Sequence, residues 1–486
     1  MSEKPSIVWL RNDLRLADNP ALTAALNRGA PTTVVYVLDD ESDGIRPLGG
    51  ASRWWLHHSL AALAQQLDQL GSRLVLRRGT AIAEISRLVV ETDAGAVFWN
   101  RRYGAARDID ATLKASLRQS GVLVESFQAN LLFEPWTVTT ATGTPFRVFT
   151  PFWKAARALP APRKPLPAPS ADDFRSHDPS GSSDRDAAHG NTSATAVTGD
   201  SLASDNLASD NLDSWALLPT HPDWAGGLRD RWTPGEAAGL ASVARFAACA
   251  LADYHRRDEP AVAATSFLSP HLRFGEVSPF QVWHAVHGEA AALSPEAQAN
   301  AAHFLSEIGW REFNWNILFH APQLASENFR PEFDAFPWGE PHPDELAAWQ
   351  QGQTGIPLVD AGMRELWHTG YMHNRVRMVA ASFLIKNLLV DWRIGEQWFW
   401  DTLVDADEAS NPGNWQWVAG SGADAAPYFR VFNPVLQATK FDPRHEYINR
   451  WIPADELRRE PIVDLGATRR EALAAYDQMR HGGTAT

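Results

Sequence analysis

The stretch FLSEIGWREF (304–313) sets Glu307, Trp310 and Arg311 at i, i+3 and i+4. A helix there would carry a carboxylate, an indole and a guanidinium on one face. Solvated helix surfaces are the ordinary source of such trios, but the apolar flanks here argue for a helix buried on most sides. The stretch MHNRVRMVAASFLIKNLLVDW (372–392), which reads as one helix, repeats the spacing with Asn374, Arg377 and Met378. Two helices presenting amide, carboxylate and arginine groups suit a pocket that hydrogen-bonds a flat heterocycle.

Farther on, DADEASN (405–411) places Asp405 and Asp407 two apart, followed by Asn411. Paired carboxylates invite a metal, yet no HExxH, cysteine cluster or EF-hand spacing accompanies them. An Asp405–Arg377 ion pair is the expectation, and no metal ligand is assigned. GSGADA (420–425) fits the loose GxGxxA pattern, with Asp442 about twenty residues on. No strand precedes it, and Pro427 stands where its helix should be starting, so it is set aside. In NPGNWQWVAGSG (411–422), Trp415 and Trp417 lie one residue apart among small and polar residues. Neither a regular helix nor a strand accounts for such surroundings, and a buried indole needs a partner for its N–H.

These groups need a frame. A chain of 486 residues, 44% hydrophobic and 21% charged, has room for two or three soluble domains. The single cysteine, Cys249, excludes an intramolecular disulfide and fits a reducing cytoplasm. The N-terminus does not read as a secretory signal, and no apolar run reaches the roughly 18 residues of a membrane helix. A soluble, cytoplasmic protein is expected. The net charge of −14 argues against a nucleic-acid partner at face value. However, residues 170–215 hold nine Asp, two Arg and no Lys or Glu, a local −7 that is half the total. Of the 21 tryptophans, eleven follow residue 300.

The first 150 residues alternate short apolar runs (6–10, 32–39, 73–79 and 96–100) with helical patterns such as 52–71, closed by Gly71. That alternation predicts a doubly wound parallel sheet, with the loop RNDLRLADNPAL at its ligand-binding carboxyl edge. Residues 151–235 read as a linker that starts proline-rich and carries a disordered Asp/Ser-rich insertion at 170–213 without catalytic role. Residues 236–480 are helical in pattern and form the expected all-α domain.

The segments TGYMHNRVRMVAASFLIKNLLVDWRIGEQWF, NWQWVAGSGADAAPYFRVFNP and TSFLSPHLRFGEVSP resemble the cryptochrome/photolyase family, and within it the cyclobutane-pyrimidine-dimer photolyases of class I or class III. The resemblance covers nearly all of the chain outside 170–213. It implies an α/β N-terminal domain, a linker and an α-helical domain holding FAD, active when reduced. The implied activity is light-driven electron transfer that splits dimers flipped out of DNA, by a monomer with no membrane partner. Tyr254, Thr265, Ser266, Leu268 and Ser269 match the segment around the FAD phosphates and ribityl chain. Glu307, Arg311, Asn374, Arg377, Asp405, Asp407 and Asn411 match positions around the flavin, Asn411 being the residue that faces its N5. Glu307, Trp310, Asn374, Met378 and Trp417 match the lesion pocket. Trp415, Trp392 and Trp338 match the electron-transfer chain. Arg375 and Arg430, with Arg257 as a third, match positions near the DNA backbone.

The chain departs from the family pattern in places. Tyr371 replaces the usual Trp of TGWMHN. Gly104 and Ala105 stand where folate-antenna relatives carry Asn and Glu, and Ser326 near their Lys. The second chromophore stays open between a deazaflavin, a folate bound differently, and none. The alternative activity is a cryptochrome-like blue-light photosensor without repair. Asn411, the complete lesion pocket and the short C-terminus after RWIPADEL weigh against it.

Overall fold

The computed structural model describes residues 3–175, 207–290, 294–426 and 429–482. Five parallel strands, β1 (Ser6–Leu10), β2 (Thr32–Leu38), β3 (Leu74–Arg78), β4 (Ala96–Asn100) and β5 (Leu123–Phe127), lie in the order β3-β2-β1-β4-β5. Helices α1 (Pro20–Leu26), α2 (Gly50–Gln69), α3 (Ala81–Thr92) and α4 (Ala106–Gln119) connect them. All five residues of β1 are buried, because successive side chains point to opposite faces and both faces are covered. Val8 and Leu10 pack with Trp54 and Trp55 of α2, whereas Ile7 and Trp9 pack with Ile85 of α3 and Leu113 of α4. The sequence reading lacked β5. It is an edge strand whose one fully buried residue, Val124, leaves little apolar signal.

The loop after β1 packs against the helical part. Arg15, at 0% exposure, donates to the carbonyls of Asp18, Ala129 and Gly275, and Glu236 accepts from the Leu16 and Ala17 N–H groups at 2.8 Å each. Gly275 has φ +65, and a Cβ there would lie 2.0 Å from the Asn12 carbonyl oxygen. The loop is a plug that locks the sheet to the helical part.

Residues 176–206, most of the expected insertion, lie outside the described residues. Its ends are ordered, which corrects the expected extent of disorder. Ala171–Phe174 is a short helix with a capping box at Ser170. Ser209 accepts from Leu76 N–H at 2.9 Å, and the Asp210 N–H donates to the Leu76 carbonyl at 2.9 Å. The open edge of β3 is thereby covered.

The helical part includes α5 (Phe149–Ala158), α6 (Glu236–Ala248), α7 (Pro295–His320), α8 (Asn374–Ser382), α9 (Trp392–Thr402) and α10 (Ser410–Ala419). Helix α5 packs on α7, with Phe149 stacked on Trp310 at 3.9 Å, so the helical part takes in a helix that straddles residue 150. Ser294 caps α7, with Pro295 in its first turn. The helix expected over 372–392 is divided. A π-helical turn, Phe383–Asn387, follows α8, Leu389 takes φ +51, and Asp391 caps a new helix at Arg393 N–H. Helix α10 answers the question posed by the tryptophan pair. The stretch is regular helix, closed by Gly420 at φ +98. Among the described residues no helix is long and apolar enough to cross a membrane.

Candidate active site

Helices α7, α8, α9 and α10, with segments 254–273 and 403–407, line a cavity of about 460 Å³. Helix α7 contributes Glu307, Trp310 and Arg311, α8 contributes Asn374, Arg377 and Met378, and α10 contributes Asn411, Trp415 and Trp417. Tyr254, Ser266, Leu268, Ser269, Asp405 and Asp407 complete the expected set, and Thr265 falls outside the lining. The sequence reading missed Asn314, Arg273, Phe399 and Asn414. Asn314 lies four residues beyond Trp310, so the same helical stripe reaches it. Arg273 has no periodic signal. It is placed by the Ala406 carbonyl at 2.7 Å and Asn12 Oδ1 at 3.0 Å.

The expected ion pair is present. Arg377 donates to both Asp405 oxygens, at 3.1 and 2.9 Å, and Ser269 Oγ donates to Asp405 Oδ2 at 2.6 Å. The Arg377 guanidinium also lies 5.1 Å from the Tyr371 ring centre, so Tyr371 backs this pair. Asp407 Oδ1 accepts from the backbone N–H groups of Ala409 and Ser410, fixing the start of α10. Loss of solvation in the cavity wall pushes the Glu307 carboxyl above its usual range, while Arg257, 3.8 Å away, opposes the shift. Its side chain keeps 40% exposure. Burial likewise pushes the Tyr254 hydroxyl up.

Trp415 and Trp417 stand about 200° apart around α10. Trp415, at 3% exposure, meets Phe399 edge-on at 4.9 Å, and Gly395 has no room for a Cβ beside it. Trp392, at 0% exposure, belongs to the same apolar cluster, and Trp338 packs against that cluster half-buried. Trp392 donates its indole N–H to Asn328 Oδ1 at 2.9 Å. Trp417 is half-buried and donates to the Asp424 carbonyl at 3.1 Å.

The expected DNA-facing arginines differ among themselves. Arg430 is exposed, with its guanidinium 4.7 Å from the Phe432 ring centre. Arg257 stands by Glu307 at the rim. Arg375 pairs with Asp258 at 2.8 Å and lies over the Phe441 ring, with 18% of its side chain exposed.

A doubly wound sheet joined to a helical part with such a cavity defines a class of protein that sequence models also recognise. The model described as DNA photolyase matches residues 6–170, and the FAD binding domain of DNA photolyase matches residues 304–462. The chain belongs to the cryptochrome/photolyase family. It is 45% identical to a deoxyribodipyrimidine photo-lyase of Agrobacterium fabrum, over 98% of each chain. It is 38% identical to Cryptochrome-1 of Arabidopsis thaliana, over 94% of this chain and 63% of that one. The crystal structure of a bacterial class III photolyase from Agrobacterium tumefaciens matches with a TM-score of 0.87 at 44% identity, covering 99% of this chain and 98% of that one.

Proposed function

We propose that this protein is a light-driven repair enzyme that splits cyclobutane pyrimidine dimers in damaged DNA, with reduced FAD as cofactor. The carrying observation is that Glu307, Trp310, Asn374, Met378 and Trp417 converge on the same cavity as Arg377, Asp405 and Asn411. A photosensor needs no lesion pocket beside its flavin site.

The residues present fit FAD. Phe304, Ile308, Phe399 and Val418 give the cavity apolar walls that suit an isoalloxazine, with the Arg377–Asp405 pair and Asn411 as polar groups for its edge. Ser266, Ser269 and neighbouring backbone N–H groups suit the pyrophosphate. When bound, FAD supplies the photoexcited electron donor.

The chain's own groups do the rest. Trp310 and Trp417 offer rings on which a flipped-out dimer can stack, offsetting its unstacking from the duplex by roughly 1–3 kcal/mol per base. Glu307 and Asn374 hydrogen-bond the pyrimidine edges and place polar groups where charge develops in the lesion. Trp415, Trp392 and Trp338 form an oxidisable aromatic path away from the cavity. Arg430 and Arg257 face the DNA backbone.

Near-UV to blue illumination of the protein with fully reduced FAD should remove dimers from oligothymidylate, and darkness should not. Dimers that persist in the light overturn the repair function.

A further inference from the structure

Asn411 reaches the cavity from α10, and its amide is held from behind by α9. Its Nδ2 donates to the Glu396 backbone carbonyl at 3.1 Å and to Glu396 Oε1 at 2.8 Å. A carbonyl and a carboxylate only accept, so the amide nitrogen must face them and Oδ1 must turn away. Glu396 is 2% exposed, and a carboxylate so buried needs a partner. Without one the carboxylate would leave its place beside the amide, and the 2.8 Å contact that fixes Asn411 would be lost.

The partner comes from the α/β part, 350 residues away in sequence. Arg46, in the loop between β2 and α2, makes two parallel hydrogen bonds to Glu396, at 2.7 and 2.8 Å. Its guanidinium lies 4.1 Å from the Trp400 ring centre. The same loop is pinned to α9 by Trp400 Nε1–H on the Pro47 carbonyl at 2.9 Å and by Gly50 N–H on Asp401 Oδ1 at 2.8 Å. At Gly49 a Cβ would lie 2.2 Å from the Trp400 carbonyl oxygen, so the loop approaches as closely as backbone can.

We propose that Arg46 is a positioning residue for the flavin site: its fork on Glu396 fixes the Asn411 amide with the carbonyl oxygen turned to the cavity. The inference rests on the FAD assignment above. A fixed acceptor favours a ring that presents an N–H, and reduction adds ring N–H to a flavin. The clamp therefore biases bound FAD toward its reduced form from a residue that touches neither cofactor nor DNA.

The test is the ratio of reduced to oxidised bound FAD at a fixed potential, read by absorbance against a redox dye. In Arg46→Ala the ratio should fall about tenfold, equivalent to about 30 mV for a two-electron couple. Arg46→Lys keeps the charge but not the fork and should recover only part. In an Asn411→Ala background, Arg46→Ala should change nothing further. An unchanged ratio, or an equal fall with and without the Asn411 amide, overturns the proposal and leaves the FAD site standing. Wild type that takes up no FAD overturns the cofactor assignment and this inference with it. If Arg46→Ala does not fold, Glu396→Gln carries the test. Its neutral amide loses the charge-assisted fork with Arg46 and should lower the ratio, and an unchanged ratio there also overturns the proposal.

Discussion

Replacing each ring of the tryptophan pair should damage a different step. Trp415→Phe removes roughly 40 Å³ beside a glycine that leaves no slack, a cost of about 1 kcal/mol at about 24 cal/mol per Å³. The variant should fold. Phenylalanine is much harder to oxidise than tryptophan, so photoreduction of oxidised FAD by external reductant should stop. Dimer repair should continue once the flavin is reduced chemically. Trp417→Ala should leave photoreduction intact. It removes a stacking ring, and lesion affinity should drop by about 1–3 kcal/mol, or roughly 5- to 150-fold. It also removes the hydrogen bond to the Asp424 carbonyl, so Trp417→Phe is the control. That variant keeps a ring and loses only the N–H, and its affinity should fall less than that of Trp417→Ala. The assays are flavin absorbance under light and binding curves for dimer-containing single strands. If both rings prove necessary for both properties, they act as one packing unit and the division of labour is wrong.

Two further outcomes can be checked. Damaged-DNA binding should weaken with salt, and Arg430→Ala should flatten the slope by about one unit of log K per log salt. Arg375→Ala should leave that slope unchanged because Asp258 already holds the guanidinium, and the reverse pattern would exchange their roles. Glu312 is 2% exposed, and burial pushes its carboxyl up to about 7 from 4.5. Because the folded value is raised, the unfolded chain releases this proton first. Stability from this group is full at low pH and is lost as pH rises from 4.5 to about 7. The loss is on the order of 3 kcal/mol. Glu312→Gln should remove that slope from urea unfolding measured between pH 5 and 8, and an identical slope in both proteins would exclude Glu312 as its source.

The features legible in the amino-acid order are those encoded by local spacing. The stripe of Glu307, Trp310 and Arg311, and that of Asn374, Arg377 and Met378, follow from helical periodicity alone, and both line the cavity. The four strands with near-continuous apolar runs were equally visible, since three of them, β1, β2 and β4, are central parallel strands covered on both faces. What sequence could not supply depends on contacts between distant segments. The break at 388–391 interrupts an apolar pattern that continues straight through it, and is fixed where the Leu389 carbonyl accepts from Gly339 N–H at 2.9 Å. The ordering of residues 207–210 comes from the open edge of β3, because a polar stretch gains structure when an unpaired strand offers it hydrogen bonds. Arg375 and Arg430 look alike as residues, yet one is spent on Asp258 and the other is exposed. The orientation of the Asn411 amide is decided by a carboxylate on α9 and an arginine from the far end of the chain. Periodicity reports which face a residue occupies, whereas a hydrogen-bond partner hundreds of residues away is set only when the chain has folded back on itself.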